Sequence, residues 1–151
     1  LNTHGGQFIR DAARGRLKFI IPGNTDIVAV SDVAKGHCAA LERGKPGERY
    51  ILSGENMTFE ESFTMAARVV GKPRPRIRVP VGAVKAVAKA CDAFGAVTRK
   101  QPWITSELIS GIEKMNSYSN EKARRELGFA TTSVEAAMNE AYHWYSNHNL
   151  L

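Results

Sequence analysis

The sequence predicts a helix-rich α/β (α+β) domain with few, short strands. Its 151 residues are 43% hydrophobic and 24% charged, a composition typical of globular rather than disordered proteins. Short β-branched runs alternate with longer and more abundant segments of helical periodicity. No internal repeat or low-complexity tract divides the chain, so residues 1–151 are expected to form a single domain.

Helices are predicted from their periodicity and from the residues at their ends. Ser31 or Asp32 is expected to cap one helix, and Thr58–Glu61 and Thr132–Glu135 are capping boxes that begin two others. A glycine is expected to end several of them because it adopts a left-handed conformation without strain. The predicted helices are the opening segment up to Gly15, then 31–44, 58–70, 81–94, 105–115, 123–128, and the segment from Thr132 onwards.

Short strands are predicted between these helices. Residues 26–30 (DIVAV) and 48–52 (ERYIL) are β-rich runs, and residues 76–80 (RIRVP) alternate charged and apolar side chains as an edge strand does. Residues 22–24 (PGN) and 53–56 (SGEN) have the composition of turns. The strands are therefore expected to be separated by helices and turns rather than joined in a meander.

Apolar side chains at helical spacing predict the buried helix faces. Cys38 and Cys91 lie in such patterns without a CxxC spacing, so we expect buried thiols in a reducing cytoplasm rather than a disulfide. His37 is interpreted as a packed helix residue rather than a ligand. The predicted stripes are Val33, His37, Ala40 and Leu41; Val81, Val84, Val87, Ala88, Cys91 and Phe94; and Val134, Ala137, Met138, Ala141, Tyr142 and Tyr145.

The net charge of +6 is concentrated in residues 10–18 (RDAARGRLK) and 71–78 (GKPRPRIR). Basic segments can bind phosphates, but no interleaved aromatic residues, helix-turn-helix or zinc pattern accompany these two. We therefore expect a solvated surface and no nucleic-acid partner. No apolar run approaches the ~18 residues of a membrane span. An interaction module for acidic partners stays open as an alternative, through Arg10, Arg14, Arg16, Arg74, Arg76 and Arg78.

Tyr118 and Lys122 have the Tyr-x-x-x-Lys spacing of a catalytic pair, in which both side chains share a helical face. Here Ser119 and Asn120 are favoured N-cap residues, so the helix is expected to begin after Tyr118. Hydride transfer in a Rossmann enzyme also needs a glycine-rich turn, and neither G-x-G-x-x-G nor G-x-x-G-x-x-G occurs in the sequence. We therefore predict no catalytic and no cofactor-binding residues in this chain.

The run VAVSDVAKGHCAALERGKPGERYILSGENMTFEE (28–61) resembles the C-terminal half of extended short-chain dehydrogenase/reductases, the NAD-dependent epimerase/dehydratase family. VVGKPRPRIRVP (69–80) and KARRELGF (122–129) continue the resemblance in order. The branch that it resembles most contains dihydroflavonol-reductase-like proteins and hopanoid-associated sugar epimerases. The resemblance implies the substrate-binding half of a Rossmann-type protein, without the half that holds NAD or NADP and carries the catalytic tyrosine.

The resemblance also implies a substrate site. The family's substrate lies near the positions that match the start of this chain and beside the loops after the strands, so Thr3, His4, Asn24, Thr25 and Tyr118 are the predicted substrate-binding residues. Asp32 matches a helix-starting aspartate with a structural role. Thr25 stands where many nucleotide-sugar epimerases have a phosphate-binding arginine, which argues against a UDP-sugar. No metal site is predicted, since no His/Cys/Asp cluster has ligand spacing.

Three functional interpretations follow. The first is a truncated or detached substrate-binding domain that is not catalytic alone and binds its small-molecule substrate weakly. The second is a fragment of a full-length NAD(P)-dependent sugar epimerase or dihydroflavonol-type reductase, and the third is the basic interaction module. Because strand 49–52 would lack its neighbour in the absent half, a homodimer is expected to cover Tyr50, Ile51 and Leu52.

Overall fold

A computed structural model describes residues 3–98 and 117–151, and within these ranges the chain has six helices and four short strands. The predicted helix-rich class with few strands is confirmed. The predicted helix 105–115 lies outside the described residues. In chain order the elements are α1 (His4–Ala13), β1 (Phe19–Ile20), β2 (Asn24–Ile27), α2 (Val30–Arg43), β3 (Glu55–Thr58), α3 (Phe59–Val69), β4 (Ile77–Arg78), α4 (Val81–Thr98), α5 (Glu121–Leu127) and α6 (Val134–Asn147).

The strands form two separate pairs in the described part of the chain. β1 and β4 are parallel, with Phe19 opposite Ile77. β2 and β3 are antiparallel, and their register runs from Asn24 opposite Thr58 to Ile27 opposite Glu55. At least one helix lies between the two strands of each pair in the sequence. Tertiary packing rather than a tight turn therefore sets the register of both pairs.

Several helix ends follow the local signals. The Thr58 hydroxyl accepts a hydrogen bond from the Glu61 N–H at 3.1 Å, and the Glu61 carboxylate accepts one from the Thr58 N–H at 2.8 Å. This is the reciprocal capping box that the sequence predicted. Gly128 follows α5 with φ of 70°, a left-handed conformation that favours glycine. These ends are confirmed.

The predicted N-caps of α2 and α6 are wrong. The N-cap of α2 is Ala29, so Ser31 and Asp32 already lie in the helix. The N-cap of α6 is Ser133, whose hydroxyl accepts a hydrogen bond from the Ala136 N–H, rather than Thr132. The Ala29 carbonyl accepts hydrogen bonds from the Asp32 and Val33 N–H groups at 3.1 Å, so α2 begins before both predicted caps.

The predicted strand 48–52 is not present, and the strand lies at Glu55–Thr58 instead, where a turn was predicted. Leu52 packs against the buried cluster between α2 and α5, so this segment is fixed by side-chain contacts rather than by strand pairing. β2 is also shifted from the predicted 26–30, because α2 already begins at Val30. The predicted dimer edge at 49–52 therefore has no structural basis.

One hydrophobic core lies between α1, α3 and α6. Ile9, Ala66 and Met138 are buried in it, and Met57 closes it from β3. On α6 the side chains of Val134, Met138 and Tyr145 are buried, as the predicted stripe required. The buried members are Ile9, Ala12, Met57, Ala66, Val70, Val134, Met138 and Tyr145.

A second core lies between α2 and α5, where Ala39 packs with Ala123, Leu127 and Phe129. The buried face of α2 consists of Asp32, Gly36 and Ala39, so the predicted stripe of this helix is wrong at His37 and Leu41, whereas Ala40 packs against the second core. His37 and Cys38 are exposed, and Leu41 is 90% exposed. Gly36 faces inward where the segment before β3 approaches closely: a Cβ on Gly36 would lie 2.8 Å from the Leu52 side chain.

The predicted helix after Pro80 is present as α4, but most of its stripe is not buried. Ala88 is buried, whereas Val87 and Phe94 are 53% and 67% exposed. Cys91 is partly buried, and both cysteines are free thiols. In residues 3–98 and 117–151, no helix combines the length and the apolar character that crossing a bilayer needs.

Candidate functional site

A polar junction at β3 fixes the segment that contains Tyr118. The Asn56 side chain binds both backbone groups of Tyr118: its Oδ1 accepts a hydrogen bond from the Tyr118 N–H at 2.9 Å, and its Nδ2 donates one to the Tyr118 carbonyl at 2.8 Å. The Asn56 side chain thus forms the two hydrogen bonds that a neighbouring strand would otherwise form with the N–H and carbonyl of Tyr118. The backbone of Tyr118 is therefore held against β3, while its side chain is 46% exposed.

Ser53 and Asn120 complete this junction. The Asn120 side chain donates a hydrogen bond to the Ser53 carbonyl at 2.7 Å, and the buried Ser53 hydroxyl donates one to the Tyr118 carbonyl at 3.4 Å. Two segments that are separated in sequence by α3 and α4 thus meet through side-chain to backbone contacts. The geometry gives Tyr118 a defined place beside the β2–β3 pair.

Asp26 lies on β2 next to this junction and opposite Asn56. Its Oδ1 accepts a hydrogen bond from the Gly54 N–H at 3.2 Å, and its Oδ2 is buried with no hydrogen-bond partner among the described residues. Burial raises the pKa of the Asp26 carboxyl, and the Gly54 N–H partly opposes that shift. The Asp26 carboxyl therefore has one oxygen that is hydrogen-bonded and one that is buried without a hydrogen bond among the described residues.

Three of the predicted substrate-binding residues lie on or beside the β2–β3 pair. Asn24 and Thr25 lie on β2, opposite Thr58 and Met57, and Tyr118 is bound to β3 through Asn56. Asn24 and the Tyr118 side chain are exposed, so both can contact a small molecule.

The two predicted residues at the start of the chain belong to another part of the structure. The Thr3 hydroxyl accepts a hydrogen bond from the Gly6 N–H at 3.2 Å and caps α1. Tyr145 of α6 packs at this helix start, so closely that a Cβ on Gly6 would overlap its hydroxyl. His4 begins α1, and its side chain lies outside what the structure describes. The structure therefore brings Thr3 to α6 and not to Tyr118.

Lys122 does not pair with Tyr118. The N-cap of α5 is Asn120, so Tyr118 precedes the helix, as the sequence predicted. Lys122 Nζ lies over the Tyr50 ring at 4.8 Å from its centre and donates to Glu48 and, at 3.1 Å, to the Arg49 carbonyl. The Glu48 carboxylate raises the pKa of Lys122, so the amine stays protonated and holds the segment before β3.

Asp32 was expected to start its own helix, but it binds the segment just before α6 instead. Its Oδ2 accepts a hydrogen bond from the Thr132 N–H just before α6, and its Oδ1 lies 3.5 Å from Lys35 Nζ. The side chain is buried, and the Thr132 N–H lowers the pKa of the carboxyl. A cavity of about 280 Å³ opens beside it between α2 and residues 128–132. Because both oxygens are engaged, Asp32 fastens α2 to the start of α6.

Metal ligation finds no support in the described parts of the chain. No group of three or more His, Cys, Asp and Glu side chains is placed there to hold an ion. Sequence reasoning missed Asn56 and Asp26 as the residues that organise the site. Asn56 belongs to the run 28–61 that resembles the family. Only the tertiary structure shows that its side-chain amide binds the backbone of Tyr118.

Comparisons with known proteins decide the family resemblance. The chain is 29% identical over 148 residues to sterol demethylase protein B of Methylococcus capsulatus, and 28% identical over 150 residues to a dihydroflavonol 4-reductase-like protein of Synechocystis. The solved structure of gox2253 is 34% identical, with a TM-score of 0.82 over 99% of this chain. The chain is therefore similar to the extended short-chain dehydrogenase/reductases, as the sequence predicted. Its match to their C-terminal half is confirmed.

These relatives are longer than the chain. The chain spans 45% of the first curated relative, 44% of the second and 45% of gox2253. More distant structures share the fold: PA4631, a nucleoside-diphosphate-sugar epimerase from Pseudomonas aeruginosa, has a TM-score of 0.74 at 24% identity over 97% of this chain and 43% of its own. Bordetella bronchiseptica WbmF, solved with NAD⁺ and UDP, has a TM-score of 0.63 at 24% identity over 97% and 38%. No family model matches the chain.

Proposed function

We propose that this chain is the substrate-binding domain of an epimerase/dehydratase-like protein and that it is not catalytic alone. The observation that supports the proposal best is the match of almost the whole chain to less than half of its longer relatives. The sequence contains no glycine-rich turn to bring backbone amides to a pyrophosphate. In this proposal residues 1–151 form one domain, and NAD or NADP binds to the part that only the longer relatives contain.

Calorimetric titration of the chain with NAD⁺ and NADP⁺ tests the proposal. We expect no heat of binding with either cofactor, because the chain lacks the loop that holds the phosphates. Binding of either cofactor with a dissociation constant of about 10 μM, roughly 7 kcal/mol, would overturn it.

A second interpretation is that the chain is a fragment of a full-length NAD(P)-dependent epimerase or reductase. The dihydroflavonol 4-reductase-like relative and the epimerase fold of PA4631 favour these two reactions. Mass spectrometry of the natively expressed protein distinguishes the interpretations. A mass equal to that of the 151-residue chain supports the detached domain, and a mass about twice as large supports the full-length enzyme.

The proposed substrate site lies at the β2–β3 pair. Asn24 is exposed on one face of β2, Thr25 lies on the opposite face beside Met57, and Tyr118 is bound to β3 through Asn56. Thr3 and His4 form a second group of proposed substrate-binding residues. The part that only the longer relatives contain would close the site. With one wall missing, a small-molecule substrate should bind weakly. A ligand with sub-micromolar affinity for this chain alone would contradict this expectation, and UDP is the probe that tests the effect of Thr25 in place of an arginine.

The position of Tyr118 can be tested without a ligand. In Asn56→Ala both hydrogen bonds to the Tyr118 backbone are lost. We expect the Tyr118 amide to exchange its hydrogen at least about tenfold faster, since it then opens to water locally. Asn139→Ala is the matched control, because this amide donates only to the Glu135 carbonyl within α6. Equal exchange at Tyr118 in both variants would show that Asn56 does not hold it.

We also propose a homodimer whose contact includes Ile51 of the expected segment 49–52, although this segment is not a strand. Leu41 on α2 and Ile51 before β3 are 90% and 49% exposed, and both lie on elements that border the second core. Two-fold pairing is the commonest way to cover such side chains. Sedimentation equilibrium at micromolar concentration should show a dimer that Ile51→Lys dissociates. A soluble monomer of the unmodified chain would refute it.

A cytoplasmic location is the remaining proposal. Cys38 is exposed and Cys91 partly buried, and both are free thiols, as is usual in a reducing compartment. Fractionation of cells that express the native protein tests the location, and recovery from an oxidising compartment would contradict it.

A further inference from the structure

The pairing of β1 with β4 joins the two basic segments of the sequence into one surface. Phe19 lies opposite Ile77 and Ile20 opposite Arg78, so the end of segment 10–18 and the end of segment 71–78 lie next to each other although α2 and α3 separate them in sequence. Together these segments contain eight arginine and lysine residues and one aspartate, a net +7, whereas the whole chain carries +6. The net positive charge of the sequence is therefore contained in these two segments, and the remaining residues sum to −1.

Most of these cations are available to a partner. Arg16 pairs with Asp11 at 3.5 Å and Arg78 with Glu60 at 2.7 Å. Arg10 is half-buried and lies 5.9 Å from the centre of the Tyr145 ring. The remaining five are exposed and form no ion pair with any residue in the described ranges. They are Arg14, Lys18, Lys72, Arg74 and Arg76. Five unpaired cations on one small surface repel one another, and an anionic partner relieves that repulsion.

The centre of this surface is apolar and has open strand edges. Phe19 is 53% exposed and its partner Ile77 is 55% exposed, while Ile20 beside them is buried. Opposite residues in a pair of strands point to the same face, so Phe19 and Ile77 form one apolar contact area. Each strand has one neighbour within the described residues, so each has an edge whose backbone groups can pair with a further strand.

We propose that the β1–β4 surface, defined by residues 14–20 and 72–78, binds an extended acidic segment of a protein partner. Strand addition uses the free backbone edge, the apolar pair receives one aliphatic side chain of the partner, and the surrounding cations bind its carboxylates. Nucleic acid and lipid headgroups match the charge but have no peptide backbone to pair with a strand edge. This inference is independent of the proposed substrate site, because it uses neither Asn24, Thr25 nor Tyr118.

Fluorescence anisotropy with a labelled synthetic peptide tests the proposal. The probe alternates glutamate and valine over ten residues, and its control has the same sequence with alternate backbone nitrogens methylated, which removes the strand hydrogen bonds but keeps the charge. At ~0.15 M salt, where distant charges are screened, we expect the peptide to bind and its methylated form to bind at least about tenfold more weakly. Backbone NMR shifts of the bound protein should be largest at Phe19 and Ile77.

Variants locate the site. The double variant R74E/R76E should weaken the peptide by about tenfold, since it removes two attractions and adds two repulsions. The matched control R43E/R124E changes the net charge equally at two exposed arginines on α2 and α5 that have no ion pair in the described chain. Its affinity should stay within about twofold of the unmodified chain. Phe19→Ser should weaken binding independently of charge.

Four outcomes would overturn the proposal. They are absence of peptide binding, equal binding of the methylated peptide, equal loss in the two double variants, and tighter binding of a single-stranded oligonucleotide or of phosphatidylserine vesicles than of the peptide. The last result would assign the surface to nucleic acid or membrane instead. Unfolding curves of both double variants show whether a loss of affinity reflects the surface or the fold.

Discussion

Replacing Asp32 with alanine removes the contact that fastens α2 to the start of α6. The buried carboxylate accepts a hydrogen bond from the Thr132 N–H, and a hydrogen bond to a charged group contributes ~1.5–3 kcal/mol. The Lys35 amine lies 3.5 Å from the other oxygen, but it is 77% exposed and adds at most about 0.5 kcal/mol. Asp32→Ala should therefore lower the free energy of unfolding by about 2–3 kcal/mol, or Tm by roughly 5–10 °C.

The effect should depend on pH. The pKa of Asp32 is lowered, first by the Thr132 N–H and then by Lys35, so the folded state favours the ionised form. Its stabilisation is present above the unfolded pKa of ~3.9 and is lost as the pH falls through the lower folded pKa. Asp32→Asn keeps the shape without the charge. Its deficit relative to the unmodified chain should be largest near neutral pH and shrink progressively below about pH 4.

Urea unfolding followed by circular dichroism measures these differences at each pH. Glu42→Ala is the matched control, since Glu42 is an exposed acid on the same helix and should change stability by less than about 0.5 kcal/mol. If Asp32→Ala and Glu42→Ala had equal unfolding midpoints, Asp32 would not join the two helices. A deficit of Asp32→Asn that did not change with pH would contradict the assigned role of its charge.

Three further changes test the packing around the site. Burial raises the pKa of Asp26, so its neutral form stabilises the fold below about pH 4, and this contribution is lost as the pH rises. Asp26→Asn should therefore be up to about 1 kcal/mol more stable than the unmodified chain near neutral pH. A lower stability of this variant near neutral pH would contradict the assignment. Gly54→Ala should cost about 3 kcal/mol in urea unfolding, because the new Cβ overlaps the Ile27 carbonyl oxygen, and an unchanged midpoint would exclude that close approach. Leu127→Ala should cost about 3–4 kcal/mol at a fully buried position, whereas Leu41→Ala at 90% exposure is its near-neutral control; equal Tm values would refute the second core.

Elements with local signals could be predicted from the sequence. The Thr58–Glu61 capping box involves groups three residues apart, and Gly128 ends its helix because of its own backbone conformation. These two ends depend on contacts within one or two turns of chain, and the sequence contains all the participants. Tyr118 also precedes the helix of Lys122 as predicted, although the Asn120 side chain makes no capping hydrogen bond and donates to the distant Ser53 carbonyl instead.

Strand positions could not be predicted in the same way. Residues 48–52 have the stronger β propensity, but the strand forms at Glu55–Thr58 because β2 pairs there and Leu52 packs into the second core. β propensity mostly reports how a side chain fits its neighbours across the sheet, and those neighbours are distant in sequence. The predicted stripe of α2 was wrong at His37 and Leu41 for a related reason, since the close approach of the distant Leu52 side chain leaves room only for glycine at position 36.

The sequence by itself determined the helix-rich class, the family resemblance and the absence of a glycine-rich cofactor turn, since composition, ordered motifs and glycine spacing are all properties of the linear chain. Tertiary structure alone decided that Asn56 holds Tyr118, that Asp32 binds the start of α6 rather than its own helix, and that two basic segments form one surface around Phe19 and Ile77. Each of these depends on a contact between segments that are distant in sequence. The free energy of such contacts comes from packing and desolvation, which local propensity does not contain.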